Sequence, residues 1–132
     1  MPLPPLLSSW PPAVQFVLVV VLPCGFGALC GVLLGVSEVG YLIASIIGVA
    51  GGFNAGLEHP DGRSGALRGV AGGTQFGAFI LIANELEGSG AKADLPHPAI
   101  LLVIITAGLG ALLGYLGGRT RARRTRAASA DI

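Results

Sequence analysis

Charge is scarce in this 132-residue chain: only 11% of its residues are Asp, Glu, Lys or Arg. An average soluble domain has roughly a quarter. Eight basic and seven acidic side chains are too few to clothe a soluble globule of this hydrophobicity. Yet 52% of the residues are hydrophobic, and that excludes a disordered chain. Cysteine occurs only at Cys24 and Cys30, so a disulfide scaffold is excluded. Six residues apart on one helix is about 9 Å along its axis, too far for those two to bridge. They read as small apolar packing residues. Aromatics make up 6% of the chain, and none lies beyond Tyr115, so the basic carboxyl end has no stacking platform for nucleic acid. There is no nucleophile–base pair, metal-ligand cluster or phosphate loop. The expectation is a protein that is not an enzyme and holds no cofactor or metal. Glu58-His59 with Asp61 comes nearest to a ligand set, but neighbours in one turn rarely converge on an ion.

What the chain does have is long apolar stretches between clumps of charge. Four spans of about 20 residues fit these gaps: 13–36, 39–57, 65–84 and 98–118. Arg68 lies one turn inside the third and reads as snorkelling to the headgroups. Pro11 and Pro12 precede the first span. Ser37 to Gly40 form a tight connection, and His59-Pro60-Asp61-Gly62 reads as a β-turn. Pro96 and Pro98 open the fourth span. Connections this short predict antiparallel neighbours. The expected fold is therefore all-α: a compact four-transmembrane-helix bundle over residues 1–118. Residues 119–132 are expected to form a basic tail without fixed structure.

Seven of the eight basic residues fall on one side of this arrangement, in the tail and the middle loop. The positive-inside rule then places both termini in the cytoplasm and the protein in the plasma (inner) membrane as a multi-pass protein. The amino terminus lacks the basic n-region of a cleavable signal peptide. Arg119, Arg121, Arg123, Arg124 and Arg126 should attract anionic lipid headgroups, so the bilayer itself is one expected partner and nucleic acid is not.

Glycine carries the most specific pattern. Of 22 glycines, thirteen form strict four-residue rows: Gly27, Gly31 and Gly35; Gly48, Gly52 and Gly56; Gly65, Gly69, Gly73 and Gly77; Gly110, Gly114 and Gly118. An internal glycine costs about 1 kcal/mol relative to alanine. In lipid that cost is recovered by close backbone approach, which accumulates dispersion and Cα–H···O contacts. The rows predict glycine-zipper packing. Gly48 to Gly56 also resembles Gly69 to Gly77, and Gly25 to Gly31 resembles Gly108 to Gly114. That pairing, second span with third and first with fourth, is not what a duplicated two-helix unit gives, and shared glycine–alanine bias accounts for it.

Three polar residues lie at membrane depth: Asn54, Thr74 and Gln75. An amide in hydrocarbon needs a partner, so Asn54 and Gln75 are expected to face the bundle, as interhelical glue or as the polar lining of a solute path. Pro23 sits inside the first span, removes one backbone bond, and marks a kink or hinge.

Gly51-Gly52-Phe53-Asn54-Ala55-Gly56, a turn, and then Gly65-Ala66-Leu67-Arg68-Gly69 resemble small glycine-rich four-helix membrane proteins of bacteria and archaea that have no assigned function. A looser likeness, through the glycine rows, is to the protein-translocase family of the mitochondrial inner membrane. Neither resemblance transfers a residue role. The expected function is a non-enzymatic membrane subunit that self-associates or docks on a larger complex, because four helices of this length do not easily bury every row within one copy. The alternative is an oligomeric channel, small-solute transporter or holin-like pore former lined by Asn54, Thr74 and Gln75.

Overall fold

Four helices are each long and apolar enough to cross a membrane: α1 (Pro12–Leu34), α2 (Glu38–Leu57), α3 (Gly62–Glu87) and α4 (Ile100–Ala130). They come from a computed structural model that describes residues 2–131. Among the described residues there is no strand. The protein is a multi-pass, all-helical membrane protein, and its helices lie on the four spans expected from the charge gaps.

The boundaries follow local chemistry. Ser37 Oγ accepts from the Gly40 N–H at 3.1 Å, and Glu38 sits in the first turn of α2, where a carboxylate favours the helix dipole. Asp61 caps α3, its Oδ1 accepting from the Ser64 N–H at 2.8 Å. This cap starts α3 at Gly62, three residues before the expected boundary. Gly88, with φ 83°, closes α3 in the left-handed conformation that glycine adopts freely.

One expectation needs correction. Residues 119–130 do not form a separate tail, because α4 continues as helix to Ala130; Ile132 lies outside the described residues. The cause is propagation: an established helix extends without paying for nucleation, and alanine and arginine are strong helix formers.

The chain's ends meet at one end of the bundle. Arg121 Nη1 donates to the carbonyls of Leu57 and Pro4, each at 2.7 Å. The Leu7 N–H donates to Glu58 O at 2.9 Å. This basic end therefore gathers the amino-terminal segment, the α2–α3 turn and the distal part of α4. At the opposite end, the Lys92 N–H donates to Leu34 O at 2.7 Å and caps the last turn of α1. The helices thus run up-down-up-down.

Helix α3 is the centre of the packing, with α4 its most extensive partner and α1 on another side; α2 lies mainly on α4. The glycines set these contacts. A Cβ at Gly65, Gly69 or Gly73 would collide with the carbonyl oxygen of Gly114, Gly110 or Thr106 respectively. In return, one at Gly110 or Gly114 would collide with the carbonyl of Gly69 or Gly65. Gly27 and Gly31 approach the carbonyls of Phe76 and Ile80, and Gly56 approaches that of Gly114. All thirteen row glycines meet another part of this chain. The expectation that one copy is too small for every row therefore fails. A close approach needs glycine on one helix only, and α1 rests its row on α3 residues that carry full side chains. Farther from the basic end, Cys30, Leu34, Tyr41, Ala44, Phe76, Ile80 and Leu102 form the buried core.

Candidate functional site: a lipid-facing groove with one arginine

Helix α1 is continuous but not uniform. Its Val17–Val21 segment is π-helical, and the Leu22 N–H reaches back five residues to Val17 O. Pro23 explains this. A proline ring clashes with the carbonyl four residues before it, here that of Val19, and a wider turn relieves the clash. In the widened register the next acceptor, Leu18 O, faces residue 23, which has no N–H to give. That carbonyl would stand unpaired inside the membrane, where an orphan costs several kcal/mol.

Arg68 fills the gap. Its Nη2 donates to Leu18 O at 2.7 Å, across the interface from α3 to α1. Its Nε is buried and has no hydrogen-bond partner. Its Nη1 lies over Gly72, where a Cβ would stand 2.8 Å from it. Glycine at 72 makes room for the guanidinium.

Around Arg68 is a half-open cavity of about 240 Å³ between α1 and α2, floored by α3. Its walls are almost wholly apolar and include Leu22, Gly52, Phe26 and Phe76. The last two rings stack with centroids 6.1 Å apart and lie about two turns from Arg68. Glu58, just past the end of α2, feels this charge. Burial pushes its carboxyl above the usual range, while Arg68 and His59 pull it back.

The three predicted lining residues do not come together. Asn54 and Thr74 are exposed on the outside of the bundle and Gln75 is half-buried. For Asn54 this corrects the expectation: it lies two residues from Gly52 and from Gly56, so 200° around α2 from the packed row. Gln75 Oε1 accepts from Cys24 Sγ at 3.7 Å, a contact from α3 to α1. None of the three lines the Arg68 cavity.

Sequence reasoning missed Asn84, whose Nδ2 donates to Gly31 O at 3.3 Å. It also misplaced Arg68, which turns inward rather than snorkelling. The sequence holds both parts, a proline within one span and an arginine with a glycine four residues later in another, but nothing in it pairs them. Pro23 does perturb its helix as expected, as a π segment. Of the five distal arginines, Arg121 acts as a clamp, its Nη1 spent on two carbonyls of this chain. Arg119, Arg123 and Arg126 join Arg63, Asp61 and Tyr115 around an open cleft at the basic end, with Arg119 5.9 Å from the Tyr115 ring centroid. Arg124 is exposed.

No family model, curated protein or solved structure matches this chain.

Proposed function

We propose that this protein is a non-enzymatic membrane subunit that associates with a second copy or a larger complex through the outward face of α2. The observation that carries the reading is the exposure of Asn54. Ile43, Ile46 and Ala50 continue the same face, and the two isoleucines are 56% and 69% exposed. An amide next to lipid is stabilised by an interhelical partner, at about 0.6 kcal/mol per bond. The internal glycine-zipper packing gives a rigid bundle and leaves this face for association. In this reading the basic end is cytoplasmic and the membrane is the plasma membrane.

Oligomeric mass in mild detergent and cross-linking in native membranes test the idea. Asn54→Leu should weaken the assembly about three- to tenfold, for one or two lost bonds, while the monomer stays folded. Unchanged mass and partner recovery would sink it. The second reading, a pore between copies, draws on the exposure of both Asn54 and Thr74. It predicts ion or small-solute flux from liposomes that falls in Thr74→Val.

A further inference from the structure

We propose that the Arg68 groove is a binding site for one anionic phospholipid, with the phosphate on the guanidinium and an acyl chain along the groove. The bond to Leu18 O satisfies one N–H of Arg68. A carbonyl satisfies a donor, though, and does not neutralise a charge. The buried Nε has no partner, and an unpaired cation in hydrocarbon is costly. Glu58 acts on this charge from a distance without hydrogen-bonding the guanidinium, so the group still missing at contact is an acceptor with a full negative charge, and guanidinium pairs bidentately with phosphate oxygens.

Depth and shape select a lipid rather than a free ion. Of roughly 39 Å of α3, about 30 Å fits the hydrocarbon. Arg68 is six residues from Gly62, about 9 Å along the axis, so it lies a few Å inside the boundary of a centred helix. A headgroup phosphate reaches that level. Below it the groove runs about 12 Å to Phe76, almost wholly apolar and half-open between α1 and α2, as an acyl chain requires. This site is separate from the exposed arginines of the basic end.

The test is native mass spectrometry of the full chain in mild detergent, titrated with dioleoyl phosphatidylglycerol, dioleoyl phosphatidylcholine or glycerol 3-phosphate. One phosphatidylglycerol should be retained at least about tenfold more tightly than phosphatidylcholine, as expected for a charge-assisted pair. Glycerol 3-phosphate, lacking the chains, should not be retained. Arg68→Gln should weaken retention about tenfold or more, and Arg68→Lys less. Gly72→Ala is the second variant. Its Cβ meets only the Arg68 side chain, so it should move the guanidinium, weaken retention and leave the bundle folded. A variant with Arg119, Arg123, Arg124 and Arg126 changed to Gln should keep the lipid. Equal retention of phosphatidylcholine overturns the proposal. So does wild-type retention in Arg68→Gln and Gly72→Ala, loss of the lipid in the distal-arginine variant, or a lipid-free dimer whose contact depends on Arg68. None of these outcomes bears on Asn54, so this site and the association face stand or fall separately.

Discussion

Consider a methyl group placed at the closest point of the α3–α4 contact, Gly69→Ala. The new Cβ would fall on the Gly110 carbonyl. Even the more distant Ala111 nitrogen would stand at 2.9 Å, where ordinary contact begins at 3.4 Å. Helix α4 must therefore retreat by at least about half an ångström, which forfeits a quarter to a half of each dispersion well at the contact. Such overpacking costs about 1–3 kcal/mol, only partly offset by alanine's better helix propensity. The control is Gly108→Ala, two residues from Gly110 and so on the far side of α4, where a Cβ meets nothing within 4 Å. It should be neutral or slightly stabilising. The assay is equilibrium unfolding in mixed micelles of increasing dodecyl sulfate fraction. Gly69→Ala should lower the folding constant about ten- to hundredfold relative to Gly108→Ala. Gly110→Ala alone should behave like Gly69→Ala. The double variant should cost less than the sum, because the first methyl has already opened the gap. Equal destabilisation at 69 and 108, or additivity at 69 and 110 within about 0.5 kcal/mol, refutes the claim that backbone proximity sets this contact.

Two further perturbations probe the ends of the argument. Pro23→Ala returns an N–H to α1, so the Arg68 bond becomes redundant; Arg68→Gln should then cost about 1–2 kcal/mol less in the Pro23→Ala background than alone. A double-mutant cycle in the same unfolding assay reads this coupling, and a coupling near zero refutes the pairing. Asp61 accepts hydrogen bonds from the Ser64 N–H and hydroxyl, which hold its carboxyl below the ordinary value of 3.8. A lowered pKa stabilises the fold above that ordinary value, and the contribution disappears as pH falls through the folded one. Stability should therefore drop on acidification below about pH 4, and Asp61→Asn, which keeps an N-cap acceptor, should flatten that drop.

The spans were legible because charge is so sparse here that its gaps measure the bilayer directly. The glycine rows were legible as close-approach faces for the same kind of reason: a four-residue repeat of the costliest ordinary helix residue needs a compensating contact. Which partner each row meets was not legible, since Gly27 and Gly31 lie against α3 residues with no such signature. Asn54 was misjudged because polarity alone gave it an inward direction, whereas its angle from Gly52 and Gly56 on the helix settles that it faces out. The Arg68 site depends on a relation between helices. Nothing within α3 announces that residue 68 will meet a carbonyl released by a proline 45 positions earlier.

The length of α4 has a mechanical consequence. From Arg119 to Ala130 the helix projects about 18 Å past the glycine contact at Gly118. It is fastened near that point by Arg121 to the end of α2 and to Pro4. A rod that is one helix on both sides of a fulcrum behaves as a lever. A tilt of the membrane part of α4 by about 10° would swing the tip about 3 Å and carry Arg123, Arg124 and Arg126 with it.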